Sequence, residues 1–240
     1  MTVPRSSLTL KESFFARSTL AVARDLVGAL LSAGQGRQIV AGRIVEVEAY
    51  LGMADPASHA ANGPTRRSAI MFGPPGVAYV YLIYGMHHCL NVVTEEDGRP
   101  GAVLIRALAP VTGQEIMARR RRGVGARARP KRQRQTQRTL TAIGSLTRQL
   151  CNGPGKLCQA LGIDLRWNGL PLRPRSGQGR QLWLSPPTGA RPRVVATPRI
   201  GIRIATEAPY RFVDADSDCL SQPLDPRDPG CRFDSGGVRY

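Results

Sequence analysis

Two segments between residues 42 and 110 hold most of the side chains that could do chemistry. Gly42 to Tyr50 reads Gly-Arg-Ile-Val-Glu-Val-Glu-Ala-Tyr, and His59 follows nine residues on. Tyr79 to Asn91 reads Tyr-Val-Tyr-Leu-Ile-Tyr-Gly-Met-His-His-Cys-Leu-Asn. A carboxylate, flat rings, imidazoles and an amide in one short region suit a site that grips a planar base and activates water beside it. Glu48 stands in an apolar run, and a partly desolvated carboxylate is suited to act as a general base. The plainer alternative is that Glu46 and Glu48 line a wet sheet face and pair with Arg43 or Arg106. Tyr50, Tyr79, Tyr81 and Tyr84 are four of the six tyrosines. Rings beside an acid can stack on a flat ligand, and a positively charged base gains about 0.5–2 kcal/mol per good contact. Core packing is the alternative, and it is expected for Tyr79. Asn91 either bonds a base edge or fixes a backbone. Arg106, with apolar neighbours, wants an anion, either carboxylate or phosphate.

Other chemistries find less support. His59, His87 and His88 show no His-x-x-x-His spacing, and no Cys-x-x-Cys occurs, so no metal is expected. Neither a Gly-x-Ser-x-Gly elbow nor a full phosphate-cradling loop is present; Gly153-Pro-Gly-Lys156 is too short for the latter. The three lysines, Lys11, Lys131 and Lys156, lie outside the motifs, which argues against a Schiff-base mechanism. No cofactor is called for. The five cysteines are scattered and read as reduced thiols.

The elements that must position these residues can be read from periodicity. Residues 9–32 predict two helical pieces, with Ser18 or Thr19 as an N-cap. Residues 38–51 alternate as a strand that puts Glu46, Glu48 and Tyr50 on one face. Glycines and prolines make 52–76 a loop region, with a short helical turn near His59. Strands are predicted at 77–84, 88–94 and 102–107, the last two joined through Asp97-Gly98 and paired antiparallel. On the first of these, Tyr79 and Tyr81 share a face and Tyr84 has the opposite parity. Short helices follow at 140–150 and 154–161, then short strands at 181–184, 193–196 and 199–205. No repeat or linker divides the chain. The expectation is one α+β domain over residues 1–240, built on a curved antiparallel sheet with surrounding helices.

Charge sets the partner class. The net charge is +17, and residues 116–163 hold twelve of the 34 Lys/Arg with no Asp or Glu. The excess centres on Arg119 to Arg138, read as a mobile arginine-rich insertion. A polyanion is the natural partner, nucleic acid above all. A membrane surface would need an amphipathic apolar face, which this stretch lacks. No apolar run approaches the length of a bilayer crossing, and residues 1–11 show no signal-peptide core. A cytoplasmic, nucleoid-associated location is expected.

At these residues the chain resembles the alkyladenine (3-methyladenine) DNA glycosylase family, of the monofunctional mammalian and bacterial type. The likeness covers Gly42 to Gly52, Asp55 to His59, Met71-Phe72, Tyr79 to Asn91, and Val103 to Pro110. It resumes at Cys151 to Leu161 and continues weakly through Pro198 to Ile202. Several long motifs in order are far more specific than one short pattern. The resemblance implies a fold like the C-terminal domain of formyltransferases, and a monomer acting on double-stranded DNA that contains damaged purines. Glu48 looks like the general base that activates water. Tyr50, His59 and Tyr81 look like the walls around a flipped base, and Tyr84 like the wedge that fills the vacated stack. Asn91 looks like the residue that rejects guanine, and Arg106 like a contact to the flipped nucleotide. Arg119, Arg120, Arg121, Arg122 and Lys156 would meet the DNA backbone. The implied activity is hydrolysis of the N-glycosidic bond, leaving an abasic site in base excision repair with no lyase step. The rivals are a non-catalytic nucleic-acid-binding protein with a vestigial pocket and a metal-dependent nuclease using the histidines. The chain departs from the family in its long basic segment and in the stretch after Val213, which lacks the expected ending and leaves packing there open.

Overall fold

The computed structural model describes residues 9–123, 147–174 and 177–225. Two helices open this part of the chain, α1 (Glu12–Phe15) and α2 (Thr19–Leu26). Ser18 caps α2 by accepting the Ala21 N–H at 3.4 Å. Val22, Ala23 and Leu26 are buried on one face of α2, the spacing that drew the helical reading. That reading ran too far, to residue 32. The chain turns at Gly28, whose φ is +92°, and Leu30–Gln35 forms strand β1. There β1 finds a partner on both edges, β2 (Gln38–Tyr50) and β6 (Gln181–Ser185). Two ladders of backbone hydrogen bonds outweigh the local helical preference.

The sheet is antiparallel throughout and curled. Strand β3 (Ala78–Ile83) pairs with β4 (His87–Val93), and β4 with β5 (Ala102–Thr112). The order continues from β5 to β2, β1 and β6. A second branch leaves β2 through β8 (Arg211–Asp214) to β7 (Val194–Thr197). The long β2 therefore pairs with β1 over its first half and β8 over its second, while β5 runs along its other edge. Helices α3 (Gln114–Gly123) and α4 (Pro154–Leu161) pack on each other; α4 also lies on β4 and β5, and α2 on β2. The fold is α+β, as expected.

Simple alternation fails in the middle of β2. Its register against β5 slips on both sides of Glu46. As a result Ile44 and Val47 both join the main core, while Val45 packs with Ala107 and Cys219 on the other side. Both faces of this stretch are covered, so Glu46 and Glu48 are fully buried rather than on a wet face.

Three further departures have plain causes. Residues 119–123 belong to α3, whose Gln, Glu, Met, Ala and Arg residues are strong helix formers; the rest of the arginine-rich segment lies outside the described residues. The same is true of 140–146 in the helix expected at 140–150. The strand expected at 199–205 is a series of bends, because Ile200 gives its N–H to a side chain instead of a neighbouring strand; the strand forms at Arg211–Asp214 instead. Near His59 the chain makes turns, and the 3-10 helices flank it at Gly52–Ala54 and Ala69–Phe72.

Gly52 ends β2 with φ +68°, and a Cβ there would collide with the Pro100 carbonyl oxygen. Gly52→Ala is expected to lose roughly 1–3 kcal/mol of stability, read as a lower urea midpoint at unchanged slope.

Candidate active site

The two halves of β2 meet their neighbours where the acids sit. Glu46 lies opposite Ala107 on β5 and Val213 on β8, and Glu48 opposite Leu104 and Arg211. Both carboxylates are 0% exposed, so their charge must be matched inside the protein. Arg106 does this for both. Its Nε donates to Glu46 Oε1 at 2.9 Å, and its Nη1 lies 3.2 Å from Glu48 Oε1. Arg211 adds a second cation on Glu46, its Nε donating to Oε1 at 2.9 Å. The Ser221 N–H donates to Glu46 Oε2 at 2.6 Å, and its hydroxyl to Oε1 at 2.7 Å. Burial pushes the Glu46 carboxyl up, but Arg211, Arg106 and Ser221 outweigh it and hold it below the usual range. The stretch after Val213, whose packing the sequence left open, thus closes over Glu46.

Glu48 has a different set of partners. Its Oε1 also accepts the Ile200 N–H at 2.7 Å, and its Oε2 accepts the Tyr50 hydroxyl at 2.9 Å. An ionised carboxylate offers about four acceptor positions. Two hydrogen bonds fill positions here, and Arg106 approaches Oε1 as an ion pair. Burial, and then the neighbouring Glu48 charge, push the Tyr50 hydroxyl well above its ordinary value, so it remains a donor.

In front of this network lies a cavity of about 220 Å³. Far less, about 10–15 Å³, suffices for one water. Tyr50, His59, Tyr81, Asn91 and Arg106 all line it, so the predicted pocket residues converge. Glu48 lies just behind the wall, linked to it through Tyr50 and Arg106. His59 and Tyr81 stand edge to face with centroids 4.7 Å apart, and His59 Nδ1 is 2.8 Å from the Tyr79 hydroxyl. Desolvation first, and Arg67 next, push the His59 imidazole below its ordinary value, which favours the neutral ring. Asn91 Nδ2 donates to the Tyr79 carbonyl at 3.1 Å, the backbone-fixing role considered for it. Tyr79 is buried, as expected, yet also reaches the cavity.

Tyr84 is elsewhere. It sits at the tip of the β3–β4 hairpin, 83% exposed, beside the exposed Met86. Tyr84 and Gly85 have φ of +51° and +68°, and the Met86 N–H bonds the Ile83 carbonyl at 3.2 Å. Two consecutive positive φ values make a primed hairpin turn. Gly takes this conformation freely; for Tyr it costs about 1–2 kcal/mol. A strained, exposed aromatic at a hairpin tip points to a role outside the fold.

The basic residues separate into two kinds. Arg119, Arg122 and Lys156 are exposed. Arg120 ties α3 to α4 by donating to the Leu161 carbonyl at 2.7 Å and the Ala160 carbonyl at 3.2 Å, and Arg121 donates to the Gln159 side chain. Lys156 Nζ donates to Asn152 Oδ1 at 2.9 Å.

Several contributors were missed from sequence. Arg211 and Ser221 reach Glu46 across 165 and 175 residues, distances no local pattern spans. Ile200, Gly201 and Ile202 line the cavity, and Arg67 lies over the Tyr81 ring at 5.1 Å. The motif Pro198 to Ile202 was the available signal for the former. Cys89 also faces the cavity, its thiol pushed up by burial. Among the described residues no group of three or more His, Cys, Asp or Glu converges as a metal site, and no helix is long and apolar enough to cross a membrane.

A model of the methylpurine-DNA glycosylase family matches residues 13–218. The chain belongs to that family. A protein of Rhodopseudomonas palustris strain BisB18 is 49% identical over 218 residues, 90% of this chain and 92% of its own length. One from Methanocella arvoryzae is 44% identical, covering 89% of this chain and 96% of its own. One from Alkaliphilus oremlandii is 42% identical, covering 90% and 100%. Each bears a provisional name as a 3-methyladenine DNA glycosylase. Membership makes this chain a DNA-repair glycosylase for alkylated bases, and the non-catalytic reading falls away.

The charge network also sets acid sensitivity. Asp55 pairs with Arg199, and burial pushes its carboxyl up, but Arg199 and the Leu51 and Ala57 N–H groups prevail and lower it. Glu46 is lowered likewise. Lowered folded values mean that the added stability is intact above the ordinary carboxylate pKa of about 4. It is lost as pH falls through the lower folded values. Thermal melts should show Tm flat from neutral pH to about 5 and falling steeply below about 4, and Glu46→Gln should flatten that fall.

Proposed function

We propose that the enzyme turns a damaged purine nucleotide out of duplex DNA, stacks the base among Tyr50, His59 and Tyr81, and hydrolyses its N-glycosidic bond with a water activated by Glu48. The observation that carries this reading is the placement of Glu48. Its buried carboxylate is bonded by Tyr50 and Ile200 and paired with Arg106, all three of which line a cavity walled by aromatic rings. Arg106 pairs with Oε1, which also accepts the Ile200 N–H, and among the described residues Oε2 accepts only the Tyr50 hydroxyl.

The step balances without a cofactor. Water oxygen bonds to the anomeric carbon as the bond to the purine nitrogen breaks. The bonding electrons leave with the base, and the water proton passes to Glu48. A purine alkylated on a ring nitrogen carries positive charge before it leaves and departs neutral, so it needs little acid assistance. Positive charge shifts to the sugar in the transition state, where a fixed carboxylate favours it. Tyrosine faces favour the charged lesion by about 0.5–2 kcal/mol per contact.

Tyr84 is the proposed wedge. Extruding a base costs a few kcal/mol, least where pairing is already damaged, and a ring held at a hairpin tip can fill the gap. Asn91 narrows the pocket against guanine, and Arg106 steadies the flipped nucleotide. Arg119, Arg122 and Lys156 offer exposed cations to the phosphates, with Arg120 and Arg121 holding their helix in place. The substrate is double-stranded DNA with a damaged purine, the enzyme works as a monomer in one glycosylase domain, and no lysine attacks the sugar, so no strand is cut.

Glu48→Gln should slow single-turnover excision by on the order of 10²–10⁴-fold while lesion-DNA binding is kept, and borohydride should trap no enzyme–DNA adduct. Undiminished turnover would reject Glu48 as the base; a trapped adduct would reject the hydrolytic route. Tyr84→Ala should leave stability within about 0.5 kcal/mol and weaken lesion-DNA binding by about 1–3 kcal/mol. Fluorescence of an unstacked lesion base should fall with it.

A further inference from the structure

We propose that Arg199, clamped by Asp55, is a positioning residue that sets both oxygens of Glu48 for the excision step. The inference rests on the reading of Glu48 given above. Arg199 is buried, and two of its nitrogens meet the two oxygens of Asp55, with Nη2 donating to Oδ1 at 2.9 Å. Its Nη1 also donates to the carbonyl of Ala49, the residue after Glu48, at 3.0 Å. The guanidinium carbon lies 4.8 Å from the Tyr50 ring centroid and 5.2 Å from that of Tyr210. Asp55 in turn accepts the Leu51 N–H at 3.2 Å and the Ala57 N–H at 3.1 Å. One ion pair therefore staples the end of β2, the loop after it and the 199–202 segment together.

Both hydrogen-bond donors on Glu48 depend on that staple. Ile200, the next residue after Arg199, gives its N–H to Oε1 at 2.7 Å. Tyr50, whose ring Arg199 covers, gives its hydroxyl to Oε2 at 2.9 Å. Ala57, Ile200, Gly201 and Ile202, all on segments the pair holds, line the cavity. The competing view is a buried pair that merely stabilises the fold. Such pairs are poor stabilisers, since packed apolar residues often replace them without loss. What apolar residues cannot supply is a planar group that grips a carboxylate with two bonds and stacks on a ring at the same time. A lysine cannot supply it either.

The test uses Arg199→Lys, which keeps the charge, and the paired variant Asp55→Leu with Arg199→Met, which removes both charges together. Each is measured for thermal melting, affinity for a duplex with one alkylated purine, and single-turnover excision. Each is then combined with Glu48→Gln. We expect folded proteins, affinity within about threefold of wild type, and excision slowed on the order of 10²-fold, the scale of a displacement near 1 Å. Because Arg199 acts through Glu48, the combined variants should be no slower than Glu48→Gln alone. Wild-type excision by either Arg199 variant would overturn the proposal, as would losses that multiply with Glu48→Gln. If the paired variant fails to fold, Arg199→Lys carries the same comparison. Full turnover by Glu48→Gln alone would sink the reading of Glu48 itself, and that failure shows without any change at Arg199.

Discussion

One arginine between two buried acids holds this site together. Arg106 on β5 faces Glu46 and Glu48 on β2, and without it two carboxylates would sit side by side in a dry interior. A buried carboxylate is costly unless a cation or hydrogen-bond donors match it. Arg106 reaches both acids, and Arg211 adds a second cation on Glu46 alone. Glu46 is thus held by two arginines and Glu48 by one, although they are the same residue type two positions apart on the same strand.

The sheet exists in the form needed to build this arrangement. Only a long, curled β2 can pair with β1 at one end and β8 at the other, and only the slipped register around Glu46 covers both faces of the strand. The hairpin of β3 and β4 carries the opposite cavity wall and projects Tyr84 past it into solvent. One hairpin thus supplies part of the cavity wall and the protruding ring. The helices serve the same end from behind, with α3 bonded to the last carbonyls of α4 and Pro154 of α4 reaching the cavity.

Much of this is legible in the sequence. Tyr50, His59, Tyr81, Asn91 and Arg106 were chosen from residue type and motif, and they share one cavity. The strands carrying them were readable because apolar and β-branched residues alternate there. The helix over residues 9–32 was overextended because leucine and alanine satisfy a helix period and a strand equally well over a few residues. The segment at 199–205 looked like a strand for the same reason, but its backbone is spent on Glu48.

Sequence by itself determined the chemistry available: two acids beside aromatic rings, a strongly basic composition and a family likeness strong enough to name the reaction. These depend on which side chains exist and how closely they follow one another. The tertiary structure alone decided that Glu46 would be held by two arginines and Glu48 by one. It also decided that Arg211, Ser221, Arg199 and Ile200 would supply the partners. Those partners lie 144 to 175 residues from the acids or the aspartate they meet, and contacts across such separations are set by how the sheet curls, which no local pattern records.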